Sequence, residues 1–431
     1  MRLFILYFLL LIFYAVFSYS LTAPNLVLSS WEPYWNFQSF MWETFFNNRQ
    51  LLTCSYLILI SSLFLAYLLL VKKIKDQKIK VKSFAFLFFI LCLPLLFSNN
   101  ALSYDVFNYM FNAKEVILYR GNPHIQIPLD FPQDDWLRFM HNTHTPAPYG
   151  YGWTAISLIP YVLGMGKFLP TWVIFRLTSF LSIILLFFAI KYLAKKLSLK
   201  LDTYHYAILF LNPLFLIEII SNSHNDLWMM APALTSLALV NKQESPSTKQ
   251  QTNFKFQIAK IFISLLLLIF SISIKLSTLV LVPIWLFLIF KNLEISNWKL
   301  FGFLDLLFGI LKKHVILLSS ILLFIPLFTE RSKQFLPWYL LWSLVWIPLI
   351  EVKIQNSKFK TLYFIDNYWV SLLLIFSFTA MLRYTAYLWF GTYEGFVPLW
   401  QKFITWSALP IYLIWLLVFK YKKSLKTVRD L

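Results

Sequence analysis

The chain consists of long apolar runs separated by shorter polar segments, most of which are basic. A helix that crosses a bilayer needs roughly 17 to 25 mostly apolar residues. From this pattern we predict about 12 spans, with both chain ends in the cytoplasm. After the N-terminal run, the predicted spans lie near residues 51–71, 83–98, 168–190, 203–220, 227–241, 259–274, 277–291, 314–328, 336–350, 367–382 and 404–420.

Two apolar stretches are shorter than a typical membrane-spanning helix. The N-terminal run follows a short basic end, so it is either a cleaved signal or a retained first span. Cleavage would leave the topology of the rest unchanged. The stretch 153–165 is short for a span and is typical of an interfacial or re-entrant helix.

Composition supports a membrane protein. The 431 residues are 59% hydrophobic and only 13% charged, and the mean hydropathy is +0.66. No soluble domain or linker interrupts the pattern. We therefore predict an all-α, polytopic transmembrane helical bundle that forms a single domain over residues 1–431.

The net charge of +19 does not indicate a nucleic-acid partner, because such a partner needs a basic face on a soluble domain. Most Lys and Arg residues lie in the short segments between predicted spans, and Arg176 is left inside a span. Residues 72–82 carry six lysines and one aspartate, which places this segment in the cytoplasm by the positive-inside rule. The absence of any N-x-Ser/Thr sequon favours a bacterial plasma membrane.

Residues 99–152 form the longest polar interruption, and this topology places them outside, facing the periplasm or the exterior. Loops this long usually carry function in compact proteins. The segment contains five acids, namely Asp105, Glu115, Asp130, Asp134 and Asp135. We expect it to be a large extracytoplasmic loop with interfacial helices and the catalytic residues.

Asp105 is the candidate general base. A helix that starts at Ser103 places Asp105, Tyr109 and Asn112 on one face. Tyr104 and Tyr109 can stack on a sugar ring while the carboxylate accepts a proton from a hydroxyl. The alternative is that Asp105 is only a solvated loop acid or a helix cap.

Further candidate residues for substrate binding lie in other turns that face the same side. Asn122 lies in a Gly-Asn-Pro turn, and His144 and Tyr149 lie in a proline- and glycine-rich corner. Later turns carry an acidic and histidine cluster and several cations and aromatic residues: Glu218, His224, Asn225, Asp226, Lys275, Arg331, Lys333, Gln334, Trp338 and Arg383.

Each of these residues also has a structural interpretation. Asn225 and Asp226 fit a tight turn between helices. Lys275 is a lone cation between two predicted spans and fits a lysine that extends to lipid headgroups. Trp338 fits an interfacial aromatic belt. Buried ionisable groups at membrane depth are costly and usually face a cavity or a partner, which favours function for Glu218 and His224.

The sequence offers little for a metal or a nucleotide. His141 and His144 have no accompanying cysteine or HExxH motif, and the only two cysteines lie in apolar runs. With 9 glycines in all and no glycine-rich phosphate loop, a nucleotide-binding fold is excluded. We expect no cofactor, and a sugar donor that is already attached to a membrane lipid.

The segments SYDVFNYMFNAKEVILYRGNPH, HTPAPYGYGW, NPLFLIEIISNSHNDLW, IKLSTLVLVP and QFLPWYLLW, in this order, resemble the GT-C superfamily of membrane glycosyltransferases. The resemblance is to bacterial polyprenyl-phosphate-mannose-dependent mannosyltransferases in particular. It implies that Asp105 is the catalytic base. It also implies a polyprenyl-phosphate sugar as donor, a glycan or glycolipid as acceptor, inversion at the anomeric carbon and no metal.

Two features depart from this family. Tyr149-Gly150-Tyr151-Gly152 stands where the family has a Tyr-Gly-Pro corner, and a single acid follows Ser103 where some relatives have two. The competing hypothesis is a transporter or a lipid flippase for envelope glycan precursors, which about 12 spans would also suit. A third is a polymerase or ligase of envelope polysaccharides, although those place their large outer loop late in the chain.

Overall fold

The computed structural model describes residues 2–22, 26, 28–77, 79–241, 254–292, 314–329, 335–350 and 360–429. These residues form helices, turns and irregular segments, and no strand occurs among them. The predicted all-α class is therefore confirmed for the described part of the chain.

The helices range from 4 to 29 residues in length. They are α1 (Arg2–Phe17), α2 (Glu32–Met41), α3 (Arg49–Gln77), α4 (Val81–Leu96), α5 (Asp105–Lys114), α6 (Tyr151–Leu163), α7 (Phe168–Lys196), α8 (Thr203–Phe210), α9 (Pro213–Leu216), α10 (Asp226–Leu239), α11 (Phe254–Ile274), α12 (Val282–Asn292), α13 (His314–Phe328), α14 (Pro337–Ile350), α15 (Lys360–Leu382), α16 (Tyr384–Phe390), α17 (Val397–Trp406) and α18 (Ala408–Arg429).

Six segments of the described chain are long and apolar enough to cross a membrane: Arg2–Leu21, Arg49–Gln77, Phe168–Lys196, Gln257–Ile274, Tyr368–Phe390 and Val397–Val418. A seventh is obtained if Thr203–Phe210 and Pro213–Ser221, which meet at an angle of 63°, form one broken span. The other predicted spans fall on shorter apolar helices, so the count of 12 stays a prediction. The short stretch 153–165 corresponds to α6, which has 13 residues.

The break between α8 and α9 follows from Pro213, which has no N–H to donate and cannot continue a helix. Carbonyl groups freed at such a break need donors, since lipid supplies none. The hydroxyl of Tyr67 donates to the carbonyl of Ile208, and that of Tyr7 donates to the carbonyl of Leu211, each at 2.6 Å. Two tyrosines on α1 and α3 thus stabilise the kink that leads to the 217–226 segment.

Helix α10 packs along α7 and α11, and hydroxyl groups link it to α11. The hydroxyls of Ser236 and Ser264 each donate to the other residue's carbonyl group, at 2.8 and 2.9 Å. The indole of Trp285 on α12 donates to the Ser264 hydroxyl at 2.6 Å. Small and hydroxylated residues let membrane helices approach closely. Nearer the N-terminal end of α10, where Asp226 lies, the hydroxyl of Ser271 donates to the carbonyl of Met229 at 2.8 Å.

Arg176 is a fully buried cation within α7, as the sequence predicted for a residue inside a span. Its Nη1 donates to the carbonyl of Leu95 at 2.8 Å and to that of Ile220 at 3.3 Å, and its Nη2 donates to Asn100 Oδ1 at 2.7 Å. Carbonyl groups at helix ends carry partial negative charge, which favours a cation there. Arg176 therefore joins α4 and the 217–221 turn beside the long polar segment.

Short helices make up much of residues 101–150. Helix α5 continues into a π-helical turn at Glu115–Tyr119, and 3₁₀ turns follow at Pro128–Asp130 and Asp135–Phe139. Helix α5 begins at Asp105, and Tyr104 rather than Ser103 is its N-cap residue. The Ser103 hydroxyl still accepts the Asp105 N–H at 3.4 Å.

An ion pair joins the last residue of α5 to the residue that precedes the 3₁₀ turn Asp135–Phe139. Lys114 Nζ lies 2.6 Å from Asp134 Oδ2, which also accepts the hydroxyl of Tyr119 at 2.7 Å. The other oxygen of Asp134 accepts the N–H of Trp136 at 2.8 Å. Both oxygens of the Asp134 carboxylate thus have partners within this segment, and Asp105 is not one of them.

Candidate functional site

Asp105 lies where the long polar segment meets the helical bundle. Its side chain is 15% exposed, and one oxygen lies 3.6 Å from Nδ1 of His224. Burial and the neighbouring Asp105 carboxylate raise the pKa of Tyr149 and of Tyr109. The carboxylate is therefore close to two tyrosines and a histidine from three different parts of the chain, yet part of it stays accessible.

Two glycines after Tyr149 allow the backbone to approach α11 closely, which places Tyr149 beside Asp105. A Cβ at Gly150 would lie 1.9 Å from the carbonyl oxygen of Ser273, and one at Gly152 would lie 2.2 Å from the Ser273 hydroxyl. Gly150 also donates its N–H to the carbonyl of Ile274 at 3.0 Å. The chain after Tyr149 thus packs directly on the end of α11, one residue before Lys275.

Lys275 is not the lone cation that the sequence predicted. Its Nζ donates to Asp226 Oδ1 at 2.7 Å, and the indole of Trp342 donates to the same oxygen at 2.5 Å. The ammonium group also lies 5.6 to 5.8 Å from the ring centroids of Tyr149, Tyr339 and Trp342, within the range of a cation–π contact. Lys275 and Asp226 meet because Asp226 begins α10 next to the end of α11, which Lys275 directly follows.

His224 connects Asp105 to a second acid. Its Nε2 lies 3.2 Å from Oε2 of Glu218, and its ring stacks on that of Trp338 at 3.8 Å between centroids. Glu218 is fully buried and accepts two hydrogen bonds, from the Asn222 amide at 2.8 Å and from the Tyr384 hydroxyl at 2.9 Å.

Several buried polar atoms around these acids have no hydrogen-bond partner among the described residues. They include both side-chain polar atoms of Asn225, the hydroxyl of Tyr109, Oδ2 of Asp226 and Oδ1 of Asn108. Unpaired buried polar groups cost free energy, and a bound molecule with hydroxyl groups would satisfy them. This arrangement is suited to a sugar.

Other predicted residues lie away from these contacts. The Asn122 carboxamide oxygen accepts the N–H of His124 at 3.0 Å and so stabilises its own turn. His144 is exposed, and the ring of Tyr104 packs on that of His141. The predicted Arg331 and Gln334, together with Lys333, lie outside the described residues.

Arg383 is buried at the end of α15 rather than open to a phosphate. Its guanidinium donates to the hydroxyl of Thr405 at 3.3 Å and to the carboxamide of Gln401 at 3.2 Å. Its role in substrate binding stays a prediction, while these contacts show that it joins α15 to α17.

Two residues of the site were not predicted. Trp342 lies one helical turn after Trp338, so the spacing within PWYLLW could have indicated it. Tyr384 lies in an aromatic stretch that reads as an interfacial belt, and its contact with Glu218 joins residues 166 positions apart. No group of three or more His, Cys, Asp or Glu side chains in the described ranges is arranged to hold a metal ion.

Comparison with known proteins gives one result. Residues 11–291 match the model of the MptA_B family, described as alpha-(1->6)-mannopyranosyltransferase, N-terminal domain. No curated protein and no solved structure matches the chain. The match covers more than half of the 431 residues and confirms the resemblance to membrane mannosyltransferases. The chain, with its several apolar helices, is thus an integral membrane protein that belongs to the MptA_B family of mannosyltransferases.

Proposed function

We propose that this protein transfers mannose from a polyprenyl-phosphate mannose to a glycan or glycolipid acceptor, with Asp105 as the general base. Mannosyl transfer itself follows from the family. The observation that carries the rest is the position of Asp105. This partly accessible carboxylate lies beside unpaired polar groups that suit a sugar. The family match names a transferase, and not the transporter or flippase considered from the sequence.

In this reaction the acceptor hydroxyl loses its proton to Asp105 while its oxygen forms a bond to C1 of the mannose. The bond between C1 and the phosphate oxygen breaks, and the polyprenyl phosphate leaves with the electron pair. A positioned general base typically contributes about 100- to 10,000-fold to the rate. The proton can be taken up only by the ionised form of Asp105.

Lys275 is the cation that we assign to the departing phosphate. A lysine ammonium has three N–H donors, and Asp226 takes one of them. The remaining donors can bind phosphoryl oxygens, and the three surrounding rings limit access of water. Because the Asp226 carboxylate neutralises part of the charge, the lysine acts by directed hydrogen bonds as much as by charge.

The stereochemistry follows from the same scheme. A single displacement inverts the configuration at C1, and the family is described as forming an alpha linkage. The donor must then be a β-linked mannosyl phosphate. Asn225 and Tyr109, whose polar atoms lack partners, are our candidates for binding the sugar hydroxyls, and Tyr104 is the candidate for stacking on a ring.

We place the reaction at the outer face of a bacterial plasma membrane. The support is that residues from the predicted outer turns, including Tyr149, His224, Lys275 and Trp338, come together around Asp105 and Asp226. Membrane lipid then surrounds the spans, and the polyprenyl chain of the donor lies in the same bilayer.

The test is transfer of radiolabelled sugar from a panel of polyprenyl-phosphate sugars by the purified protein. We expect transfer from polyprenyl-phosphate mannose and a fall of about 100- to 10,000-fold for Asp105→Asn. Asp135→Asn removes an exposed acid of the same segment and should keep the wild-type rate. Wild-type transfer by Asp105→Asn would show that another group is the base.

A further inference from the structure

Arg49 begins α3, and its guanidinium group packs against two neighbouring segments of the protein. Its Cζ lies 4.2 Å from the centroid of the Phe46 ring. A Cβ built at Gly391 would lie 3.3 Å from Nε, Cζ and Nη2 of Arg49, so the group also lies close to the backbone at this glycine. The aromatic ring and the glycine thus hold the guanidinium in a defined position.

Gly391 suits this contact for two reasons. Its φ of 70° lies in the left-handed region that favours glycine, and its N–H donates to the carbonyl of Tyr387 at 2.8 Å, which ends α16. The absence of a side chain also leaves the space that the guanidinium occupies. Helix α16 packs along α3, so this end of the two helices forms the floor of the site.

Arg49 has no partner for its charge in the part of the chain that the structure describes. Its Nη1 is enclosed and makes no hydrogen bond, and no described Asp or Glu oxygen lies within 4.0 Å of the group. Arg176 and Arg383, which are also buried, donate to carbonyl, hydroxyl or amide oxygens instead. A buried donor without an acceptor costs free energy, and more so when the group is charged.

The length of α3 places Arg49 at the level of the lipid headgroups. Residues 50–71 of this helix contain no charged side chain, and Lys72 and Lys73 follow them. At about 1.5 Å per residue this stretch extends over about 33 Å, close to the roughly 30 Å of a hydrocarbon core. Since the sequence predicts that the lysines are cytoplasmic, Arg49 lies at the headgroup level of the outer leaflet.

Apolar side chains beside Arg49 face outward from the bundle. Leu51 is 41% exposed and Phe390, which precedes Gly391, is 49% exposed. Exposed apolar residues on membrane helices contact lipid chains. A ligand with an anionic head and an apolar tail therefore matches both the cation and its surroundings.

We propose that Arg49 binds the phosphate group of a membrane lipid. The planar guanidinium donates pairs of N–H groups to phosphate oxygens, and such charge-assisted bonds are strong. Arg49 is partly exposed, so a headgroup can reach it from the bilayer. The phosphate belongs either to a phospholipid or to a prenyl phosphate. The proposal involves neither Asp105 nor Lys275, so it does not depend on the proposed function.

The test is lipid binding by the purified full-length protein, measured by native mass spectrometry in detergent. The probes are dioleoyl-phosphatidylglycerol, farnesyl phosphate and dioleoylglycerol, which has the same acyl chains as the first probe but no phosphate. We expect the dissociation constant of at least one phosphate lipid to rise about tenfold or more in Arg49→Met, since charge-assisted hydrogen bonds are lost. Dioleoylglycerol should bind wild type and variant alike.

Arg138→Met is the matched control. Arg138 also lies over a phenylalanine ring, with its Cζ 4.9 Å from the centroid of Phe139, but it is exposed. We expect this variant to bind the phosphate lipids as wild type does. Arg49→Lys keeps the charge and loses the planar fork, so its affinity should be intermediate. It also serves as the second variant if Arg49→Met does not fold, as judged by gel filtration.

The outcomes distinguish the source of the phosphate. Weaker binding of phosphatidylglycerol alone assigns the site to a phospholipid, weaker binding of farnesyl phosphate alone assigns it to a prenyl phosphate, and weaker binding of both assigns it to either lipid. Unchanged binding in the folded Arg49 variants would overturn the proposal. Equal affinity of wild type for dioleoylglycerol and phosphatidylglycerol would also overturn it, because the phosphate would then contribute nothing.

These measurements are independent of mannosyl transfer. Lys275, which we assign to the donor phosphate, is present in every variant, so lipid bound there cancels when the variants are compared with wild type. Failure of the proposed function would appear as wild-type transfer by Asp105→Asn and would leave the lipid-binding results unchanged.

Discussion

Lys275 and Asp226 form a partly buried ion pair in which Nζ lies 2.7 Å from Oδ1, with the indole of Trp342 donating to the same oxygen. Removing one partner of such a pair leaves an uncompensated charge, typically at a cost of 3–5 kcal/mol. We expect Lys275→Met to lower the free energy of unfolding by about this amount. Thermal unfolding in detergent would measure it.

The double variant Lys275→Met with Asp226→Asn separates structure from catalysis. It removes both charges, so we expect most of the stability to return. Transfer should stay low if Lys275 binds the donor phosphate. Lys167→Met, at an exposed lysine, should leave both quantities unchanged. Full recovery of transfer in the double variant would show that Lys275 acts only as the partner of Asp226.

Arg176 contributes to stability through the carbonyl groups that it satisfies. Arg176→Met leaves the carbonyl of Ile220 without a donor, whereas that of Leu95 still accepts the Ser98 hydroxyl at 2.6 Å. An unsatisfied buried group costs about 1–3 kcal/mol, and we expect a loss of this size in unfolding free energy. Chemical denaturation would measure this loss. Arg138→Met, at an exposed arginine, is the control, and an equal effect of the two substitutions would contradict the argument.

Gly150→Ala tests the close packing that positions Tyr149. Its Cβ would collide with the carbonyl oxygen of Ser273, so the backbone must move and carry Tyr149 away from Asp105. We expect transfer to fall at least tenfold, since small displacements near reacting groups cost about 100-fold. Gly395→Ala places its Cβ in open space at a φ of 62°, so it has only a backbone cost of about 1–2 kcal/mol. Its transfer rate should be normal.

Glu115 makes stability depend on pH. Burial, followed by the nearby charge of Asp130, raises the pKa of Glu115 from its ordinary value of 4.5 to about 7. The folded protein then retains a proton that the unfolded chain has already lost, so stability falls as the pH rises from 4.5 to about 7. The loss is complete above that range.

We expect Glu115→Gln to remove most of this dependence, with a gain on the order of 2 kcal/mol at pH 8 and little change at pH 4.5. Unfolding of purified protein at the two pH values would measure it. Asp135→Asn, at an exposed acid, should retain the wild-type dependence. A parallel loss of stability by wild type and Glu115→Gln would show that other groups are responsible.

Much of the helical framework was predictable because helix formation depends on nearby residues. The predicted spans 51–71 and 168–190 fall within α3 and α7, although both helices extend further into their basic ends. Straight-chain lysines are good helix formers, so hydropathy alone ends these helices too early. Asp105 was predicted as the base because a carboxylate between aromatic residues follows an apolar run, which is a local signal, and this role stays a prediction.

The partners of these residues were not predictable in the same way. Asp226 and Lys275 are 49 positions apart, Asp226 and Trp342 are 116 apart, and Glu218 and Tyr384 are 166 apart. Hydrophobic periodicity shows which face of a helix is buried but not which other helix covers it. Lys275 therefore looked like an unpaired cation, and Glu218 had no evident partner.

From the order of its residues alone, this chain is a helical membrane protein with a polar segment that contains a conspicuous acid. Hydropathy is a property of each stretch of sequence, so it can be assigned without knowing which residues are in contact. The pairing of charges is different, because a buried ion is stable only beside a partner that packing brings within a few ångströms. The three-dimensional arrangement therefore decided that His224 lies between Asp105 and Glu218, and that Lys275 pairs with Asp226.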